Sequence, residues 1–108
     1  MATMKATPKS YEECKNLLNG KVQMKLGNNT ILRHSVQAGA FAIVLYNTEV
    51  VRFYVDGTIQ IQNGGHQSVT TKDRINQFIP RGHVFQRNYN WYYHHDGKDF
   101  QFQNGMTI

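Results

Sequence analysis

The residues best suited to bind a ligand surround the start of the predicted second helix. Residues 63–65 precede it as Asn-Gly-Gly, and a glycine pair lets a ligand approach the backbone closely. The free N–H groups of a helix N-terminus attract anions, and Thr70, Thr71 and Lys72 add two hydroxyls and a positive charge. This arrangement predicts a phosphate-binding site that uses the backbone near Gly65 and Thr71. It also suits an ordinary capped helix after a flexible loop.

Five further residues could complete such a site. The guanidinium groups of Arg33 and Arg74 can each bind a phosphate through two parallel hydrogen bonds. The Trp91 ring could stack on a base, and the amides of Asn28 and Asn29 could hydrogen-bond a base or ribose. The asparagines also suit a hairpin turn, and a tryptophan also suits a core. Together with the helix start, these residues predict a nucleotide-like ligand.

The titratable residues show no arrangement typical of an enzyme. No histidine pair has the spacing of a zinc site, and no pair of carboxylates is set up for general acid–base chemistry. A Ser-His-Asp arrangement could arise in three dimensions, but no motif points to one. We therefore expect a non-catalytic binding protein without a metal or a cofactor. The five histidines are His34, His66, His83, His94 and His95.

Length and composition predict one small basic domain. The 108 residues carry 12 Lys and Arg against 7 Asp and Glu, and the formal charge of +5 favours anionic partners. A chain of this length has room for one modest core, so self-association into a homo-oligomer is expected as a supplement. We predict a disordered lead-in at residues 1–8 and a single domain over residues 9–108.

Three features favour a cytoplasmic location. The single Cys14 excludes an internal disulfide, and no apolar stretch approaches the roughly 18 residues of a membrane span. The segment Met1–Pro8 lacks the apolar centre of a signal peptide. A reducing cytoplasm is therefore the expected compartment, and no membrane partner is expected.

The hydrophobic pattern predicts an α+β fold in which β-structure dominates. A short helix is expected over residues 10–19, because Ser10 and Glu13 have capping-box spacing and Asn19-Gly20 provides a stop. Alternation with a period of two then predicts an antiparallel sheet of about six to eight short strands. A helix and a sheet of this kind would pack as two layers.

A second helix is expected over residues 71–79. Thr70 and Asp73 repeat the capping-box spacing, and a proline follows the last apolar residue. Helical periodicity places Lys72 and Arg74 on either side of the buried stripe. Both side chains are therefore expected at the seam between this helix and the sheet.

The Asp56-Gly57 pair predicts a hairpin whose register can be argued. A strict two-residue loop would set apolar residues opposite polar ones on both faces. A turn with a left-handed glycine bulge instead pairs Phe53 with Ile59 and Val51 with Ile61. The bulged form is the predicted one.

Several short segments stand in a characteristic order: Leu26-Gly27-Asn28-Asn29-Thr30, Thr48-Glu49-Val50-Val51, Asp56-Gly57, Gly64-Gly65, Thr70-Thr71-Lys72-Asp73-Arg74-Ile75-Asn76 and Trp91-Tyr92. In order and spacing they resemble a group of small uncharacterised phage and viral-metagenome proteins over about residues 20–93. The resemblance implies a viral origin. Position 66 is histidine here, where the relatives tend to have tryptophan, and the part after Tyr93 looks like an extension.

A small phage protein with a basic, amide-rich sheet suits three functions. We predict a non-catalytic protein of the host cytoplasm that sequesters a small anionic nucleotide-like ligand. A host immune signal would be such a ligand, and the protein would then be an anti-defence sponge. The alternatives are a small nucleic-acid-binding accessory protein, which would use the same arginines and aromatic rings, and an inhibitor that docks on a host protein by a sheet edge.

Overall fold

The computed structural model describes residues 4–108, and this part of the chain forms two helices and nine strands. The elements follow in the order α1 (Tyr11–Leu18), β1 (Gln23–Gly27), β2 (Thr30–His34), β3 (Ala40–Leu45), β4 (Thr48–Tyr54), β5 (Ile59–Ile61), α2 (Val69–Phe78), β6 (His83–Arg87), β7 (Asn90–His95), β8 (Lys98–Gln101) and β9 (Met106–Thr107). The fold is α+β with β-structure dominant, which confirms the predicted class.

The strands form two antiparallel sheets instead of one. The larger sheet has the order β1-β2-β3-β4-β5-β9, and the smaller has the order β6-β7-β8. Helix α2 interrupts the meander after β5, and the strands that follow it pair only with one another until β9 returns to β5. Residues 4–108 contain nine strands, where about six to eight were predicted. The division into two sheets was not predicted, because periodicity identifies strands but not their partners.

Helix α1 has the predicted caps. The Ser10 hydroxyl accepts a hydrogen bond from the Glu13 N–H at 3.1 Å, which satisfies a free donor of the first turn. Asn19 is left-handed at the other end, with φ of 48°, and its N–H donates to the Lys15 carbonyl at 3.1 Å. The helix therefore begins and ends where its sequence predicts.

Helix α2 begins two residues earlier than predicted, and its cap is Ser68 rather than Thr70. The Ser68 hydroxyl accepts from the Thr71 N–H at 3.1 Å, while Val69 is already helical. Either hydroxyl could cap the helix by residue type, so the sequence does not separate the two positions. Thr70 consequently lies inside the first turn, where its side chain is exposed.

The β4–β5 hairpin has the predicted bulged register. Phe53 pairs with Ile59 and Val51 pairs with Ile61, so the buried residues face one another. Gly57 has φ of 93°, and the Asp56 carboxylate accepts from the Thr58 N–H at 2.9 Å. Turn chemistry and burial thus select the same pairing.

A β-bulge at Val50 controls which face each residue of β4 presents. Ile43 pairs with Val51, but Val44 pairs with Glu49, so Val50 is the extra residue. Val50 and Val51 are both buried in the core. Because the bulge shifts the two-residue alternation, Glu49 joins the face of Ala42 and Val44, on the side of the sheet away from the core.

One hydrophobic core joins both helices and both sheets. Phe53 and Ile43 contribute from the larger sheet, Phe78 from α2, and Tyr93 from the smaller sheet, all with almost no exposure. None of the helices in residues 4–108 is long and apolar enough to cross a membrane. The two sheets are therefore bound together by burial rather than by strand pairing.

The predicted disordered lead-in falls partly outside the described residues, since residues 1–3 are not described. Within the described part, the Lys5 N–H donates to the Leu26 carbonyl at 2.7 Å, and Pro8 is buried. Met4 packs against the core. Residues 4–8 thus lie along the end of β1.

Cys14 is expected to be unreactive in the folded protein. Its side chain is fully buried in α1, and burial together with the nearby Glu13 carboxylate raises the pKa of the thiol to about 12. The thiolate is the nucleophile, and very little of it forms at neutral pH. A thiol-specific reagent should modify the native protein only as fast as it unfolds and the denatured protein at once. Rapid modification without denaturant would contradict this.

Candidate functional site

A surface cavity of about 750 Å³ lies where the β3–β4 turn meets the loop that leads into α2. We call it the Tyr46 cavity; its lining residues are Leu45, Tyr46, Asn47, Thr48, Val50, Asn63, Gly65, His66, Gln67, Ser68 and Thr71. Its volume is within the range of about 300–1,000 Å³ that is typical of small-molecule sites. The cavity is therefore large enough for a small-molecule ligand.

Asn63 fixes the loop that forms one wall of the Tyr46 cavity. Its side-chain oxygen accepts from the Gly65 N–H at 2.8 Å, and its carbonyl accepts from the His66 N–H at 3.0 Å. Its own N–H donates to the Asn104 side chain at 2.6 Å. Because Asn63 is buried and both donates and accepts hydrogen bonds, the loop holds a defined shape despite its two glycines.

The start of α2 forms a second wall. Ser68 and Thr71 share a hydrogen bond between their hydroxyl groups at 2.9 Å, and both residues line the cavity. The N–H groups of Val69 and Thr70 have no acceptor within the described part of the chain. Helix starts with free donors favour negative charge nearby. Val69 and Thr70 do not themselves line the cavity, but they follow Ser68, which does, so this edge is the one nearest to the free donors.

Tyr46 stands at the rim of the cavity in an unusual conformation. It is the first residue of the two-residue turn between β3 and β4, with φ of 56°, and its side chain is 66% exposed. Left-handed φ is uncommon for a bulky residue and is disfavoured by about 1–2 kcal/mol. An exposed ring held in this way at a cavity rim is available for stacking.

The lining of the Tyr46 cavity is neutral. Among the described residues that line it there is no Lys, Arg, Asp or Glu, and His66 is the one histidine. Leu45 and Val50 supply apolar surface, while amides and hydroxyls supply donors and acceptors. The cavity therefore suits a ligand that is recognised by shape, stacking and directional hydrogen bonds more than by charge.

The structure brings two of the predicted site residues to this cavity and places Asn28 and Asn29 in the turn that borders its rim. Gly65 and Thr71 line the cavity, but their N–H groups, which were predicted to bind the phosphate, donate within the chain to Asn63 Oδ1 at 2.8 Å and to Ser68 Oγ at 3.1 Å. The Asn29 carbonyl accepts from the Tyr46 N–H at 2.8 Å, so the β1–β2 turn borders the rim. Asn28 lies beside it, and its carbonyl accepts from the Thr30 hydroxyl at 2.8 Å. Whether these residues contact a ligand stays a prediction.

Three residues of α2 do not occupy the predicted places. Thr70 and Lys72 lie on the first turn but do not line the cavity. Arg74 is 5% exposed and donates to the Gln77 side chain at 3.2 Å, while its Nε has no acceptor among the described residues. Of the first-turn residues that were predicted to bind the ligand, only Thr71 lines the cavity.

Trp91 and Arg33 also lie away from the Tyr46 cavity. Trp91 is 3% exposed and packs edge-on against Phe102 with ring centroids 5.2 Å apart, so its ring is not open to a base. The prediction that Trp91 stacks on a base is therefore wrong, because the alternation along β7 directs its side chain into the core. Arg33 lies on the face of the larger sheet away from the core and pairs with Glu49.

The cavity residues that sequence reasoning missed are mostly in turns. Ser68 and Tyr46 are each set by local backbone geometry, and no spacing rule identifies them, whereas Asn63 was already predicted as part of the Asn-Gly-Gly loop before the helix. One signal was available for Tyr46, which stands beside asparagine between two strands, where a turn needs a left-handed residue. An aromatic residue at such a position is a candidate binding residue.

Glu49 is the centre of a separate polar cluster. Its carboxylate accepts from Arg33 Nη1, Arg52 Nε and the Ser35 hydroxyl at 2.7 Å each, and from the Val36 N–H at 3.0 Å. Burial by itself raises the pKa of Glu49, but the hydrogen bonds from Ser35, Arg52 and Val36 outweigh it, so the pKa is lowered. Glu49 is therefore ionised at neutral pH.

His94 lies next to a carboxylate on the smaller sheet. His94 Nδ1 lies 2.6 Å from Asp99, and Arg87 Nη2 lies 2.9 Å from the same carboxylate. The hydrogen bond from His94, followed by that from Arg87, lowers the pKa of Asp99. Among residues 4–108 no group of three or more His, Cys, Asp or Glu side chains is arranged to hold a metal ion.

Gly64 is expected to be required for the shape of the Tyr46 cavity. It has φ of 62°, and a Cβ there would lie 2.7 Å from Thr48 Cγ2. Gly64→Ala should lower the free energy of unfolding by about 1–3 kcal/mol, through strain and the close contact. The matched control is Gly65→Ala, whose φ is 87° but whose Cβ would have no neighbour within 4 Å.

Chemical denaturation measures both glycine variants. Gly65→Ala should cost about 1–2 kcal/mol from backbone conformation alone. Adding Thr48→Ser to Gly64→Ala removes the crowding methyl group and should recover part of the loss. Equal losses for the two single variants would show that contact with Thr48 is unimportant.

The structure is that of a small β-dominant protein with a neutral cavity beside a helix start. The chain belongs to the Kyanoviridae Gp96 protein family, a phage protein family, whose sequence profile it matches over residues 7–108. This confirms the resemblance to phage proteins and extends it over nearly the whole chain. No curated protein and no solved structure shows significant similarity to the chain.

Proposed function

We propose that this phage protein is a non-catalytic binding protein that holds a small nucleotide-like ligand in the Tyr46 cavity. The observation that carries the proposal is the cavity itself, which joins an exposed aromatic ring, neutral hydrogen-bonding groups and the free start of a helix. A nucleotide presents the complementary groups, namely an aromatic base, polar edges and a phosphate. Sequestering a host immune signal in this way would make the protein an anti-defence sponge.

The division of roles in the cavity follows from its chemistry. A base would stack on Tyr46, and the amides of Asn47 and Gln67 would hydrogen-bond its edge. The phosphate would lie at the start of α2, near the Ser68 hydroxyl and the Val69 N–H group. A sponge needs affinity alone, so the ligand would leave the protein chemically intact.

The first test is native mass spectrometry of the full chain mixed with cyclic dinucleotides, ADP-ribose and a short single-stranded DNA. Retention of one small nucleotide, released intact on denaturation, is the expected result. The same spectra give the oligomeric state, which we propose to be a homo-oligomer. Binding of the DNA alone, or of none of the three probes, would overturn the proposal.

The second test removes the Tyr46 ring without removing the turn. Asparagine tolerates left-handed φ better than tyrosine, so Tyr46→Asn should keep the fold. Loss of one base-stacking contact should weaken binding of the retained nucleotide about tenfold or more. Tyr89→Asn is the matched control, because Tyr89 is also an exposed left-handed tyrosine, with φ of 68°, in the β6–β7 turn. Equal effects of both variants would exclude the Tyr46 cavity.

Single-stranded nucleic acid is a second candidate ligand, favoured by the outer face of the smaller sheet. Phe85 and Tyr92 stack there with ring centroids 5.5 Å apart, and the Arg87 guanidinium lies 5.2 Å and 5.3 Å from their centroids. Rings and arginine on an antiparallel sheet suit stacked bases. Binding through this face should weaken steeply with salt, and Phe85→Ala should reduce it while Tyr46→Asn should not.

A further inference from the structure

A second cavity, of about 260 Å³, lies over the Glu49 cluster on the face of the larger sheet away from the core. We call it the Arg52 cavity, and Arg33, Glu49, Arg52 and Gln62 contribute to its lining. Unlike the Tyr46 cavity, it contains two guanidinium groups. It is therefore the more cationic of the two cavities.

The charges around the Arg52 cavity do not balance. Glu49 supplies one negative charge, and Arg33 and Arg52 supply two positive charges. The Glu49 oxygens already accept four hydrogen bonds, so the carboxylate has little capacity for further donors. One positive charge is left at the cavity.

The guanidinium groups also retain unused donors. Arg52 contacts Glu49 only through Nε, and within the described residues its two Nη groups have no acceptor. Arg33 uses Nη1 for both Glu49 and the His34 carbonyl, which leaves Nη2 without an acceptor in the described part of the chain. The arginines are held in place by Glu49 while these Nη donors stay free. Fixed guanidinium donors around a net positive charge are typical of oxyanion sites.

We infer that the Arg52 cavity binds the phosphate group of a small ligand, with Arg52 and Arg33 as the binding residues. Glu49 acts as a positioning residue, because it orients both guanidinium groups through its own hydrogen bonds. The inference does not depend on ligand binding in the Tyr46 cavity. The two cavities are neighbours, however, since Asn47 and Thr48 line both of them.

The experiment is a titration of the isotopically labelled full chain with inorganic phosphate, followed by NMR at neutral pH and constant ionic strength. Saturable shifts at the Arg52 Nε–H and at the backbone amides of Val36 and Glu49 are expected. Shifts that grow without saturation, or that are as large at the exposed Arg87, would overturn the inference. This titration uses the wild-type chain, so its outcome does not depend on whether a variant folds.

A conservative substitution separates the contribution of the Arg52 Nη donors from that of its charge. Arg52→Lys keeps the charge beside Glu49 but removes the paired Nη donors, and should weaken phosphate binding about tenfold. Arg87→Lys is the matched control, because Arg87 is an arginine paired with a carboxylate on the other sheet. It should change phosphate binding less than twofold if the site is specific. Equal affinity in wild type and Arg52→Lys would overturn the inference.

A parallel titration with a nucleoside monophosphate separates the two sources of phosphate. Shifts at Val36 and Arg52 with both probes support the site for free and esterified phosphate alike. Additional shifts at Tyr46 and Gly65 with the nucleotide would show that one ligand spans the two cavities. Nucleotide shifts confined to Tyr46 and Gly65, with none at Arg52 from either probe, would overturn the inference and leave the proposed function intact.

Discussion

Glu49→Gln should lower the free energy of unfolding by about 2–4 kcal/mol. Breaking a buried ion pair typically costs about 3–5 kcal/mol, and the range is reduced because Arg33 and Arg52 are 27% and 15% exposed. The glutamine amide has nearly the same shape, but it cannot accept all four hydrogen bonds and leaves two guanidinium groups without a counter-charge. Urea denaturation of both proteins at neutral pH measures the difference.

The Glu49 effect should also depend on pH in a defined direction. Because the pKa of Glu49 is lowered in the folded state, its ionised form stabilises the fold above the ordinary pKa of 4.5. That contribution is lost as the pH falls through the lowered value, so wild type and Glu49→Gln should converge in acid. Glu12→Gln, on the exposed side of α1, is the control and should change stability by less than about 0.5 kcal/mol. A gap that persists unchanged in acid would rule out the ionised carboxylate as the cause.

Gly82→Ala should destabilise the protein by about 3 kcal/mol or more, through left-handed strain and overpacking together. Gly82 has φ of 67°, and a Cβ there would lie 2.5 Å from the His94 carbonyl oxygen and 2.5 Å from the Tyr93 hydroxyl. Tyr93 cannot move aside easily, because it is buried and its hydroxyl donates to the Arg81 carbonyl at 3.1 Å. The thermal transition should therefore shift to a clearly lower temperature.

Gly97→Ala separates the crowding from the backbone effect. Gly97 also has left-handed φ, 77°, and lies in the turn between β7 and β8 of the same sheet, but a Cβ there would have no neighbour within 4 Å. It should cost about 1 kcal/mol. If Gly82→Ala were no worse than Gly97→Ala, the close approach of Gly82 to β7 would not matter for stability.

Local features of the fold were predictable from the sequence because they depend on neighbouring residues. The capping of α1 by Ser10 follows from residue spacing, and the Phe53–Ile59 pairing follows from the requirement to bury like residues together. The turn at Asp56-Gly57 supplied the same answer independently. Where two local signals agree, the sequence determines the structure at that position.

The features that could not be predicted depend on residues distant in the sequence. Trp91 alternates as expected along β7, but alternation does not say which face meets the core. The partner of Arg33 is Glu49, sixteen positions away, and it reaches the correct face only because of the bulge at Val50. The sequence offers no local signal for a bulge formed by a valine.

The predicted site residues do not all lie together, for a related reason. Gly65 and Thr71 were predicted from the attraction of a helix start for anions, and both line the Tyr46 cavity. The charges expected beside them are elsewhere, because Ser68 caps the helix and Arg74 is buried. A difference of two residues in where a helix begins thus changes which side chains a ligand could meet.

The order of the strands has a consequence for how the chain folds. Each neighbouring pair in the two sheets joins consecutive strands, except β5 and β9, which are separated by α2 and the whole smaller sheet. Short hairpin loops close at a small entropic cost, whereas the loop between β5 and β9 is long. We expect the hairpins to form first and β9 to dock last. The Ile61–Met106 pairing would then be the last to form. Until β9 pairs, one edge of β5 is left without a partner strand.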